Sequence, residues 1–229
     1  MVQVHSPRPF FKKGRSARKS NGFLFSRQRV ASSRARFRLA HERGIMQVNY
    51  PEVGICGLSC RLCPRYHTKS KSRCGGCKSK FRMDAGCPFI TCAVKKKGVE
   101  FCGQCNESQT CDRWAKRREW GKDHDSFTCY QALEDNIAFI RRYGIAKFRT
   151  AQRARERLLV EMLDRFNEGR SKTYYCLAAT VLNTTELRTV LVKARKQSAG
   201  LDKEDRSRLL HSLLDKISRQ RRIRLKLRK

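Results

Sequence analysis

A chain of 229 residues with 53 Lys and Arg against 20 Asp and Glu has a formal net charge of +33, which points to a polyanion, with nucleic acid first, as its partner. Its longest apolar run, CLAATVL, is seven residues, far short of the ~20 needed to span a bilayer; the chain is read as soluble and cytoplasmic, with no membrane partner. Its twelve cysteines come without a cleavable apolar signal segment, which favours metal ligands over a disulfide framework.

Residues 1–45 are rich in Arg and Ser, carry net +11 and show no sustained periodicity. They read as a basic, disordered extension, with a nucleic-acid-binding arm, a transit peptide and a non-native leader as competing origins. The residues ERGIM preceding the cysteine region can be encoded GAG-AGG-GGA-ATA-ATG, a purine-rich ribosome-binding sequence just upstream of a start codon. The expectation is that Met46 begins the native protein in a prokaryote; native protein beginning at Met1 or Val2 would overturn it.

Residues 46–111, net +7, form a cysteine-rich module. Its large apolar residues are few (Leu58, Leu62, Phe81, Phe89, Ile90, Val94, Val99 and Phe101), too small a core to fold unaided. A structural zinc contributes on the order of 10 kcal/mol to folding, so a metal-stabilised module with little regular structure is expected. Cys60, Cys63, Cys74 and Cys77 make C-x2-C-x10-C-x2-C, a zinc-ribbon-like pattern, and Cys87, Cys92, Cys102 and Cys105 make C-x4-C-x9-C-x2-C. Thiolates suit zinc or iron–sulfur, so two zinc sites are expected, with a [4Fe–4S] cluster as the alternative. Cys56 and Cys111 stand at the two ends and replace ligands in this scheme or interleave with them. Four thiolates on one zinc carry net −2, and Lys95, Lys96 and Lys97 help keep such thiols ionised. His67 is within reach of a ligand role but reads as a packing histidine.

Cys56, Cys60 and Cys63 also make C-x3-C-x2-C, the spacing of radical S-adenosylmethionine enzymes. Such an enzyme needs a β/α barrel after the motif, and here seven more cysteines and then helices follow. No Ser/His/Asp or paired-carboxylate constellation is visible, and no catalytic residue is assigned.

Residues 112–127 read as a polar connector docked through Trp114 and Trp120, with an aromatic-and-arginine stacking site for bases as the alternative. Residues 128–220 read as an all-α bundle of four or five helices. Thr128 with Gln131 has capping-box spacing before Leu133, Ile137 and Ile140, and Gly144 breaks that helix. Leu158, Leu159, Met162, Leu163 and Phe166 share the face of the next helix, which ends near Gly169. SKTYYCLAATVL reads as a buried helix. Asn183 with Glu186 caps the helix of Leu187, Val190, Leu191 and Ala194, and Asp202 caps that of Leu209, Leu210, Leu213, Leu214 and Ile217. Cys129, at the expected helix start, is weighed as a reactive thiol against an inert one; Cys176 reads as packing. EGRSKTYYC is weighed as a phosphate-binding turn against Gly169 as terminator and Ser171 as cap. Residues 221–229 read as a frayed basic tail.

YPEVGICGLSCRLCPRYHT, CGGCKSK, CPFITCAVKKKGVEFCGQC and HDSFTCYQALEDNIAFI resemble the prokaryotic cysteine-rich family called domain of unknown function 3795. FNEGRSKTYYCLAATVL is similar to its longer members, which have a helical C-terminal half. The resemblance runs from about residue 48 onward and agrees with a start at Met46. It implies a bacterial or archaeal cytoplasmic protein with a metal-binding cysteine module, and it implies no reaction. The functions carried forward are a zinc-stabilised binding module that contacts nucleic acid and, alternatively, an iron–sulfur protein for electron transfer or redox sensing.

Overall fold

The computed structural model describes residues 48–229; the basic extension at 1–45 and the start at Met46 lie outside the described residues. From residue 112 onward the chain is mainly helical: α1 (Asp112–Asp123), α2 (Leu133–Tyr143), α3 (Ile145–Arg165), α4 (Lys172–Val181), α5 (Thr184–Gln197) and α6 (Lys203–Gln220). Among the described residues no strand forms beyond an isolated antiparallel bridge between Val53 and Ser59. The barrel of a radical S-adenosylmethionine enzyme therefore has no counterpart there.

The expected caps of α5 and α6 form. Asn183 accepts the Glu186 N–H at 2.8 Å while Glu186 accepts that of Asn183 at 3.0 Å, and Asp202 accepts the Asp205 N–H at 2.8 Å. Three expectations are corrected. The connector at 112–127 is largely helical, as α1, with Trp114 buried and Trp120 37% exposed. Helix α2 starts at Leu133, not beside Thr128, because buried Asp125 takes the Tyr130 N–H at 2.5 Å and holds that segment in a turn. Residues 221–229 are not frayed. Ile223 and Leu225 pack on the bundle core, and Arg228 donates to Asp125 at 3.1 Å and to the Gly121 carbonyl at 2.9 Å.

Two apolar cores join the cysteine module to the bundle. Leu159 and Met162 of α3 and Phe166 just after it pack with Tyr175 and Ala178 of α4, Leu187 and Leu191 of α5, Leu210 and Leu214 of α6, and Leu62 from the module. The second core gathers Val53, Leu58 and Phe101 of the module, Trp114 of α1, Leu133, Ile137 and Ile140 of α2, and Phe148 of α3. Phe101 meets Trp114 edge-on at 6.0 Å. Ion pairs from Arg61 to Glu156 at 2.8 Å and from Arg149 to buried Glu52 tie the module to α3. The module thus borrows from the helices the apolar burial its own sequence lacks.

Candidate metal centre

The chain presents its sulfurs on tight turns. Gly54 donates to the Leu58 carbonyl at 2.7 Å and Gly57 to that of Gly54 at 2.9 Å, folding CGLSC back on itself. Gly57 has φ +99°, and a Cβ there would lie 3.0 Å from the Phe101 ring; the turn and the packing both demand glycine. Cys63 donates its N–H to the Cys60 carbonyl, and Cys105 to that of Cys102, each at 3.1 Å. These are two of the three C-x2-C knuckles. Gly76, at φ +97°, lets the backbone of CGGC approach Cys60, whose Sγ would stand 3.4 Å from an added Cβ.

Six of the expected ligands, Cys56, Cys60, Cys63, Cys74, Cys77 and Cys87, line one cavity of about 180 Å3. Interaction with the Cys60 thiol, opposed by burial and aided by the Ile55 N–H and by Arg82 and Lys78, lowers the Cys77 thiol to about 6. The same interaction, with burial, raises Cys60. Burial, with the charge of Cys77, pushes Cys56 up to about 12. Cys63 is raised by burial against hydrogen bonds from the Arg65 and Tyr66 N–H groups and Thr128, and Cys74 is its charged neighbour. The Ser59 hydroxyl, buried in the cavity wall, has no hydrogen-bond partner.

The other sulfurs gather around Cys102. Burial pushes its thiol up to about 12, with repulsion from Cys56, Cys111, Cys92 and Cys105. Lys97, paired with Glu107, also feels Cys105 and Cys92. The expected quartet of Cys60, Cys63, Cys74 and Cys77 therefore shares one cavity with Cys56 and Cys87. Of the second expected quartet, Cys92, Cys102 and Cys105 stand with Cys111 while Cys87 turns to the first cavity. Among the described residues no three Cys, His, Asp or Glu side chains surround a common point at metal-ligand spacing. The donor chemistry nonetheless fits a metal: soft sulfurs, backbone N–H groups aimed at them, and an orphaned hydroxyl in the same wall.

Three residues weighed from the sequence have other surroundings. His67 Nε2 contacts the Arg61 carbonyl at 2.6 Å, a packing role. Cys129 lies in the loop before α2 and not on its first turn, and burial pushes its thiol up to about 12, so the helix-activated thiol is not seen. Cys176 is buried in the bundle core, as expected. One feature escaped sequence reading altogether. Lys78, within CKSK, is fully buried and bonds Glu100 at 2.8 Å and the Tyr50 carbonyl at 2.7 Å. Glu100 also accepts the N–H groups of Asn49 and Tyr50 at 2.6 and 2.9 Å. No signal distinguishes Lys78 from its exposed neighbours, because its burial comes from residues distant in sequence.

EGRSKTYYC forms a different polar cluster, beside a cavity of about 700 Å3 between the α3–α4 loop and α6. Ser171 does not cap α4 with its side chain. Its hydroxyl meets Glu168 at 2.7 Å, His211 Nε2 at 2.7 Å and Ser207 at 3.2 Å, and Ser207 donates to Glu168 at 2.6 Å. A serine within reach of a histidine suggests a nucleophile and its base. This hydroxyl, however, has one proton, an anionic acceptor for it and 5% exposure, which makes it a cross-link between the loop and α6. The Glu168 carboxylate sits where a phosphate would have to bind.

Residues 52–116 match a family described as protein of unknown function, DUF3795. No curated protein and no solved structure matches the chain. No helix among the described residues is long and apolar enough to cross a membrane.

Proposed function

With residues 52–116 belonging to the DUF3795 family, we propose that this segment is a zinc–thiolate module that holds a binding surface in shape. One observation carries the reading: six cysteines from three separate stretches of chain line a single cavity. One zinc draws its ligands from Cys56, Cys60, Cys63, Cys74, Cys77 and Cys87, and a second from Cys92, Cys102, Cys105 and Cys111. Binding closes each set around its ion, since metal and fold are coupled in such modules. The same reading puts the protein in a reducing compartment, the cytoplasm, because thiolate ligands persist there. Its partner class is a polyanion, proposed from the net charge of +33.

A second reading is favoured by the size of the first cavity. A zinc held ~2.3 Å from each of four sulfurs needs no space beyond its ligands, whereas this cavity holds about 180 Å3 of open space. That room suits an iron–sulfur cluster serving electron transfer or redox sensing. Anaerobic purification with metal and sulfide analysis and a visible spectrum separates the two. A colourless protein with about two zinc ions per chain supports the first. A brown protein with iron and sulfide replaces it with the second, and a metal-free, fully folded protein defeats both.

A further inference from the structure

The mouth of the cysteine cavity carries an unusual surface. Tyr66, Arg82, Phe127 and Tyr130 line it alongside the sulfurs. Phe127 is 48% exposed, and the Arg65 guanidinium lies over its ring at 5.0 Å. Arg73 lies over Tyr66 at 4.9 Å. Arg117 lies over both Tyr130, at 4.5 Å, and Trp120, at 4.4 Å. Trp120 meets Tyr130 edge-on at 5.5 Å and stacks on His124 at 5.4 Å and 15°. Trp120 and Phe127 are the half-exposed rings of this region; buried Tyr130 meets Trp120 edge-on and lines the same cavity as Phe127.

The charge of this region is uncompensated. Between Arg61 and Asp84 the chain has eight basic residues and one acid. Arg61 and Lys78 are spent on Glu156 and Glu100. The other six, Arg65, Lys69, Lys71, Arg73, Lys80 and Arg82, form no ion pair among the described residues. A protein partner offering only carboxylates would use these cations but leave the exposed rings idle. Duplex nucleic acid likewise keeps its base faces stacked internally. Unpaired bases use both features, stacking on rings and guanidinium planes while phosphates meet the cations.

We propose that the surface presenting Trp120 and Phe127 binds single-stranded nucleic acid, with bases stacked on these two rings and the backbone along the Arg65–Arg82 stretch. This rests on the polyanion-binding reading above and narrows it to a strand type and a place. The zinc module shapes this face, since Tyr66 lies three residues beyond Cys63, in the turn closed by the Tyr66 N–H to the Cys63 carbonyl at 3.0 Å.

The test uses the full-length protein and fluorescence anisotropy with a labelled oligouridine, a duplex competitor and heparin, in a salt series. Single strands should outcompete duplex, and Trp120 fluorescence should be quenched on binding. The double variant Trp120→Ala/Phe127→Ala should weaken binding about a hundredfold, from about tenfold per stacked base, with an unchanged salt slope because no charge is removed. Arg65→Gln/Arg73→Gln should reduce that slope. Residues 1–45 are present in every variant, so their charge cancels from the comparison. Equal competition by duplex or heparin, unaltered affinity of the ring variant, or no binding at low salt would overturn the proposal. Zinc is assayed on the same samples. Zinc without strand binding defeats this inference alone; strand binding by protein that folds without metal defeats the zinc reading and leaves the face standing.

Discussion

Cys60 and Cys77 face one cavity, with the Cys60 Sγ 3.4 Å from where a Cβ on the adjoining Gly76 would stand, joining the first knuckle to CGGC. Each is proposed as a ligand of the first ion. Cys60→Ser or Cys77→Ser should therefore remove about one metal equivalent and destabilise the whole chain, because Leu58 and Phe101 share a core with Ile137 and Phe148. Cys176→Ser should keep full metal content and lose only packing. Metal analysis beside thermal melts checks this; equal metal in all three variants would remove Cys60 and Cys77 from the site. A strong chelator should lower the melting temperature of the helices as well as of the module.

Lys78 and Glu100 form a fully buried pair. Burial lowers the Lys78 pKa, and Glu100 opposes that shift. Lys78→Met should cost about 3–5 kcal/mol, since it strands a buried carboxylate, and Lys78→Met/Glu100→Gln should recover part of that cost. Urea denaturation of the two variants at neutral pH reads the difference. A double variant no more stable than Lys78→Met would show that Glu100 acts through its bonds to Asn49 and Tyr50 alone.

Burial would raise the Glu168 carboxyl, but hydrogen bonds from Ser207, Ser171 and backbone N–H groups outweigh it and hold it at about 2, below its ordinary 4.5. A depressed carboxyl stabilises the fold above its unfolded value and loses that contribution as pH falls through its folded one. Stability should decline between pH 4.5 and about 2, and Glu168→Gln should flatten part of that decline. Acid titration followed by circular dichroism compares the two proteins, with identical profiles counting against the cross-link.

Asp125 is buried beneath Arg228, which donates to it from backbone and side chain. Removing residues 221–229 takes away this partner and the packing of Ile223 and Leu225. The truncated chain should lose about 3 kcal/mol or more. Asp125→Asn in the truncated chain should restore part of it, as read by chemical denaturation. A truncation without effect would mean that the segment contributes nothing to the fold.

Much of the bundle was legible because helical amphipathicity and caps are local. Leu187, Val190, Leu191 and Ala194 line one face behind the Asn183–Glu186 box, and the structure buries all four. Thr128 with Gln131 has equally good cap spacing, yet Asp125 competes for the same backbone and delays α2 to Leu133. The competitor is itself held by Arg228, which no local window contains. Ser171 is the same lesson at α4: its hydroxyl is drawn off to Glu168 and His211 of α6.

The sequence by itself determined which residues carry soft donors, where the knuckles turn, which faces of the helices are apolar and how basic the chain is. All of these follow from residue type and short spacing. Only the tertiary structure decided that Cys56 and Cys87 share a cavity with Cys60 and Cys77, that Cys102 and Cys111 pack against one core, and that Phe127, Tyr130 and Trp120 each lie beneath an arginine. Those neighbours are set by how turns far apart in the chain are held together, and here Phe101, Trp114 and Ile137 hold them, packed in a core that neither the module nor the helices could form alone.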